Sequence, residues 1–231
     1  MDPLPNTAPP RSWWKRAFSL WTDWVPVRTL QRRHRARVRE HLLTLNERDR
    51  YLRFGYAASD EQILAYAQRL NFDTDEVLGI FNRRLTLVAV AHLAYAPEPQ
   101  RPGQPAMAEF GVSVLATARG KGLGARLFQC AALHARNRGI DTLFIHALSE
   151  NAPMLRIARK AGARVERDGG ESEAWLRLPL DSVGSHVDEA LERHAAEMDF
   201  QLKQHLHSVH VLKTTLVKAA DWLRRHLRAN P

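Results

Sequence analysis

A single cysteine, Cys130, stands in 231 residues, which excludes a disulfide framework and a cysteine-based metal site. A reducing compartment is the expected setting. No apolar run approaches the roughly 20 residues needed to span a bilayer. The opening MDPLPNTAPPRSWW has neither the charged start nor the apolar centre of a secretory signal. A cytoplasmic protein is therefore expected. Net negative charge is also missing. The formal charge of +9 suits an acidic partner such as a nucleotide, a nucleic acid or an anionic membrane surface, but names none of them.

The length fits one domain with extensions, and the composition shifts divide the chain at about residues 26 and 180. Residues 1–12 are Pro-rich and polar and are expected to be disordered. In the following SWWKRAFSLWTDWV, Trp14, Phe18, Trp21 and Val25 recur at helical spacing. Such a stripe packs against another helix of the same protein or lies on a membrane surface.

From Val27 the element types alternate. VPVRTLQ reads as a strand, and ARVREHLLTL and DEQILAYAQRL read as helices, the second capped by Ser59 or Asp60. EVLGIFNRRLTLVAVAHLAYA reads as a hairpin turning at Asn82-Arg83-Arg84. After a loop from Pro97 to Pro105 come the strand AMAEFGVSVLA, a glycine-rich turn and the helix LGARLFQCAALHARNRG, closed by Gly139. DTLFIHAL is a further strand, NAPMLRIARKAG a helix, and ARVER and SEAWLRLPL the final strands. The order β α α β β β α β α β β implies a mixed α/β layer arrangement with a parallel crossover.

Proline and glycine are absent from Ser185 to Asn230, and apolar residues from Val187 to Leu227 keep a spacing of three to four. One long amphipathic helix is predicted over residues 181–231. Unbroken, it would extend about 65 Å, so it packs along the domain, folds back or joins a second chain as a homodimer.

The stretch ARGKGLGARLF, Ala118 to Phe128, joins a strand to a helix through three alternate glycines. Unpaired N–H groups and the helix dipole make such a junction an anion site, and glycine lets a phosphate approach the backbone. A P-loop would place Lys-Ser/Thr after its last glycine, where this chain has Ala125-Arg126. The dinucleotide fingerprint is formally met by Gly120, Gly122 and Ala125. It lacks the opening βαβ context and the acidic residue about 20 positions later.

Arg119-x-x-Gly122-x-Gly124 after AEFGVSV, followed by Asn151-x-x-Met154-x-x-Ile157-Ala158-x-Lys160-x-Gly162, resembles the Gcn5-related N-acetyltransferases (GNAT) over about residues 27 to 180. The resemblance implies an α/β acyl-CoA N-acyltransferase fold, whose mostly antiparallel mixed sheet carries a splayed parallel pair, and acetyl-CoA as cofactor. It assigns the pyrophosphate to the backbone of Gly120, Lys121, Gly122, Leu123, Gly124 and Ala125, with charge from Arg119 and Lys121. It assigns the pantetheine arm to the strand bearing Val112 and Val114, with Asn151 beyond the neighbouring strand. Asn151 also suits a helix N-cap.

Transfer to an amine requires a base for its proton, a donor for the thioester oxygen and a proton for the thiolate. AEF resembles the bacterial protein-lysine acetyltransferase branch, which implies Glu109 as base; a surface or substrate-orienting carboxylate is the alternative. Other branches place the base on the next strand, here at His146, which also suits an ordinary packed histidine. The resemblance implies the Val114 N–H as oxyanion donor. Where many members have a tyrosine acid, this chain has Ala158, so the thiolate would be protonated by water or leave as the anion.

The acceptor is expected to be a primary amine, on a protein lysine or a small molecule. An acetyl-CoA-binding scaffold with a helical interaction module is the alternative from another class. Cys130 is expected to be a buried, inert thiol. The arginine run Arg28 to Arg39 lacks interleaved aromatics for nucleic acid and reads as a solvated helix face or a surface for acidic substrates. His205, His207 and His210 do not complete a metal site, since only the last two share a helix face.

Overall fold

The structure is a computed structural model that describes residues 25–96, 106–179, 189–190, 195–201 and 203. The Trp-rich segment, the 97–105 loop and most of the expected C-terminal helix lie outside them. Residues 195–201 are helical. They pack on the β1/β2 side: Glu197 pairs with Arg28 at 2.8 Å, and Phe200 meets Phe81 edge-on at 5.1 Å.

Among the described residues seven strands form one sheet in the order β1-β2-β3-β4-β5-β7-β6. They are β1 (Arg28–Leu30), β2 (Glu76–Phe81), β3 (Leu87–Tyr95), β4 (Met107–Val114), β5 (Thr142–Leu148), β6 (Arg164–Asp168) and β7 (Glu171–Arg177). Neighbours are antiparallel except β4 and β5. The helices are α1 (Arg35–Leu43), α2 (Glu47–Phe54), α3 (Asp60–Arg69), α4 (Leu123–Asn137) and α5 (Ala152–Lys160).

The central strands EVLGIF and LVAVAHLAY are nearly continuous apolar runs because both sheet faces are covered. One core holds α4 and α5 on the sheet, with Phe110 and Phe128 fully buried and edge-on at 5.1 Å. The other holds α1 and α3 through Val38, Leu42 and Ile63.

Helix α2 is the element the hydrophobic periodicity does not show, because ERDRYLRF is mostly charged. Its ends were legible as caps. The Asn46 side chain accepts from the Asp49 N–H, Glu47 and Asp49 fill the first turn, and Gly55 closes the helix at φ +82°.

The basic run is divided: Arg32, Arg33 and Arg39 are exposed, as a solvated face requires, while Arg28, Arg35 and Arg37 turn to protein partners. Arg35 donates to the carbonyls of Ala67, Gln68 and Leu70 at the end of α3, and Arg37 donates to Leu85. Arg28 and Arg32 hold Glu197 and Asp73.

His41 pins α1 to the sheet. Its Nδ1 lies 2.8 Å from the Leu87 carbonyl and its Nε2 2.8 Å from Ser113 Oγ. A carbonyl only accepts, so Nδ1 carries the proton and the serine donates to Nε2. Burial lowers the His41 pKa from 6.5 to about 4. Burial and the charges of Arg28, Arg33 and Arg37 do the same to His34.

Between these values the unfolded chain takes up protons that the folded chain refuses, so stability present above pH 6.5 is lost as the pH falls toward 4. For His41 the contribution is on the order of 3 kcal/mol. Urea unfolding at a series of pH values is expected to show this decline, and His41→Leu to reduce its slope.

Candidate active site

The cleft begins where a ladder stops. β4 and β5 pair only at Met107↔Thr142, Ala108↔Leu143 and Glu109↔Phe144. Beyond that point each strand stays held by its other neighbour, β4 by β3 through Ala89↔Val114 and β5 by β7 through Leu148↔Glu171. Residues of an antiparallel strand alternate in hydrogen-bonding direction. Because Met107 and Leu115 bond to the β3 side, Val112 and Val114 turn their backbone groups toward the gap. The expected splay is thus present, with these two residues on its edge.

From β4 the chain makes a short 3-10 turn at Ala116–Ala118 and enters α4. Gly120 and Gly122 sit at φ +76° and +71°, the left-handed region that disfavours side chains. Gly122 caps α4 with no side-chain acceptor, and the first helical bond is Arg126 N–H to the Gly122 carbonyl at 3.0 Å. The N–H groups of Leu123, Gly124 and Ala125 precede that bond and form the positive end of the helix. A Cβ on Gly124 would come within 3.3 Å of Ile157 Cδ1.

The loop and the gap share one cleft of about 730 Å³, lined also by Asn151, Met154 and Ile157. A groove with an anion site at one end and unpaired strand edges along it fits a long molecule with a phosphate end and an amide-containing arm.

Helix α2 packs against both diverging strands. Asp49 forms an ion pair with Arg119, Arg48 reaches Glu150 at 3.5 Å, and Asn151 Nδ2 donates to the Leu52 carbonyl at 3.2 Å. The Arg119 guanidinium also donates to the Val114 carbonyl at 3.3 Å, so it braces the loop against α2. Asn151 Oδ1 caps α5 by accepting from Met154, while its amide group also lines the cleft. Lys121 is exposed and lies outside the cleft lining.

Glu109 occupies the last position of β4 that pairs with β5 and is exposed, with no ion pair among the described residues. Its side chain shares a sheet face with Gly111 and Ser113, the face covered by α1, α2 and α3. His146 lies past the last residue of β5 that pairs with β4, opposite Glu173 of β7 and on the same face as Phe144. Its Nε2 is 3.2 Å from Glu171. Cys130 is buried, as expected. Ala158 is fully buried in the core, and no tyrosine lines the cleft among the described residues.

Sequence reasoning missed Asp49, Arg53, Tyr66 and His92. The first two came with the overlooked helix. His92 had a signal, as the lone imidazole in the apolar run LVAVAHLAY, where a buried polar group needs partners.

The sequence matches the acetyltransferase (GNAT) family over residues 14–163. The chain belongs to that family. Among solved structures it is similar to the GNAT domain of S. lividans PAT, at 19% identity over 74% of this chain and 100% of that one, with TM-score 0.56. A Salmonella typhimurium structure with its cofactor acetyl-CoA matches at 18% identity over 70% and 98%, with TM-score 0.51. Spermidine N-acetyltransferase from Vibrio cholerae, in complex with CoA and spermine, matches at 15% over 67% and 95%, with TM-score 0.50. Among curated proteins no sequence matches significantly.

The GNAT cofactor is acetyl-CoA, and the glycine cradle and open strand edge described above fit it. No helix among the described residues is long and apolar enough to cross a membrane.

Because both ends of the Asn151 amide are engaged, Asn151→Ala is expected to lower the unfolding free energy by about 1–2 kcal/mol. Chemical denaturation checks this. Retained stability would show that neither bond contributes.

Proposed function

We propose that this GNAT protein transfers the acetyl group of acetyl-CoA directly to a primary amine, with Glu109 as the general base. The observation that carries the reading is the position of Glu109. It is an exposed carboxylate without an ion pair among the described residues, at the point where β4 and β5 part.

The backbone N–H groups of Leu123, Gly124 and Ala125 and the loop glycines would hold the pyrophosphate, supported by the helix dipole. Arg119 acts on the same anion from the side, held in place by Asp49. Val112 and Val114 would bond the amide-containing arm, and the Val114 N–H is aimed where a carbonyl oxygen can accept from it. Bound in this way, acetyl-CoA supplies an activated acetyl thioester.

An alkyl ammonium has a pKa near 10.4, so its proton must be removed before it can attack. Glu109 takes that proton directly or through one water, from the face opposite α4 and α5. His146, across the splay on the same face, is the second candidate base. The cleft offers no tyrosine acid among the described residues, so the proton returned to the leaving sulfur is drawn from water.

Glu109→Gln keeps the shape and removes the basic oxygen. Its kcat with a saturating amine is expected to fall by about 10²–10⁴-fold, with acetyl-CoA affinity within a few-fold of the parent. Full activity across pH 7 to 9 would remove Glu109 from the role and leave His146 to be tested. Saturable acetyl-CoA binding with no turnover on any amine would favour a scaffold instead.

A further inference from the structure

Four side chains on the Glu109 face of the sheet form one hydrogen-bonded chain. Arg53 Nη2 donates to the Tyr66 hydroxyl at 2.8 Å, that hydroxyl is 2.9 Å from His92 Nδ1, and His92 Nε2 is 2.9 Å from Asp75 Oδ2. A guanidinium can only donate, so the tyrosine proton points to Nδ1, and Nε2–H donates to the carboxylate. Every role is filled with a neutral imidazole. Burial, with help from Arg53, lowers the His92 pKa against the opposing pull of Asp75. The chain therefore fixes an arginine rather than relaying a proton.

Packing fixes it further. The Arg53 guanidinium carbon lies 5.2 Å from the Phe54 ring centre and 5.5 Å from that of Tyr66. A Cβ on Gly111 would come within 2.7 Å of the same carbon, so glycine lets the guanidinium lie on β4. Gly111 pairs with His92 and follows Glu109 by two residues, a separation of about 6.6 Å on one face. Arg53 lines the cleft, and its remaining donors have no protein partner among the described residues.

A fixed guanidinium with open donors is suited to an anion, most of all to a planar carboxylate. Arg53 shares the cleft with the glycine turn, but it packs on Gly111, on the sheet face of Glu109, whereas Phe128 of α4 packs on Phe110 of the opposite face. An acceptor reaching Glu109 on this face would meet both groups, and the two match the charges of a zwitterion.

We propose that Arg53 determines acceptor specificity by binding a carboxylate, so that the preferred acceptor is a free amino acid or close analogue with its amine at Glu109. This rests on the amine-acetylating reading above. Tyr66, His92 and Asp75 are positioning residues for Arg53. The same guanidinium repels polyamines, and a lysine side chain within a protein brings no carboxylate to it.

The test is a kinetic panel of α-amino acids, each paired with the amine left when its carboxylate is removed, together with spermidine and a lysine peptide. For the best amino acid, kcat/KM is expected to exceed that of its paired amine at least tenfold. Arg53→Gln brings that ratio near unity, chiefly by raising KM for the amino acid. Tyr66→Phe and Gly111→Ala, which loosen or displace the guanidinium, lower the ratio in the same direction. They keep the assignment testable if Arg53→Gln does not fold. Calorimetric binding of the amino acid in the presence of CoA should follow the same order without turnover.

Transfer with no carboxylate preference, or a ratio unchanged in Arg53→Gln, overturns this inference and leaves Glu109 as base. Absence of transfer to any amine overturns the proposed function, and Arg53-dependent binding of the amino acid then decides this inference alone.

Discussion

The site depends on the interruption of one parallel ladder. After Glu109↔Phe144 the two strands stop bonding to each other, yet each remains in a complete antiparallel ladder on its far side. Backbone groups left unpaired inside a protein are costly, and a ligand that can bond them gains from their need for partners. The gap is therefore a stable opening with specific donors and acceptors along its edge. The glycine turn and α2 line the opening, while Glu109 stands at its closed end, at the last β4–β5 pair and outside the cleft lining.

The opening also separates two chemistries by sheet face. On the α4 and α5 side, backbone N–H groups and a helix dipole meet an anion without needing a charged side chain. On the α1 to α3 side, charge is carried by side chains whose positions are set by hydrogen bonds, including the chain from Asp75 to Arg53. A backbone site suits an invariant cofactor. A side-chain site can be retuned at single residues without disturbing the fold, as the packing of Arg53 over the side-chain-free Gly111 illustrates.

The division between what was legible in the sequence and what was not has a physical origin. The strands, the hairpin, the glycine turn and α4 were legible because apolar periodicity and positive-φ glycines are local signals. Helix α2 was hidden, since six of its eight residues in ERDRYLRF are charged or aromatic polar types and only its caps mark it. Part of the arginine run was misread for a related reason, since Arg35 and Arg37 are not solvated. Arg35 and Arg37 bond to carbonyls of other segments, and such partners are decided by the tertiary fold. A basic run by itself cannot distinguish a solvated face from a set of carbonyl clamps.

Helix α2 joins the two halves of the site, and its links differ in strength. The Arg48–Glu150 pair is exposed on both sides and contributes little. The Asp49 side chain is 8% exposed, so separating it from Arg119 would leave a buried carboxylate without its counter-charge, a far larger cost. Arg119 belongs to the turn that leads into α4, and Arg53 stands one helical turn beyond Asp49 on α2. The glycine turn is therefore tied to α2, and α2 carries the guanidinium that packs on Gly111, two residues after Glu109. The glycine turn and Arg53 are thus joined through the Asp49–Arg119 ion pair and one turn of helix.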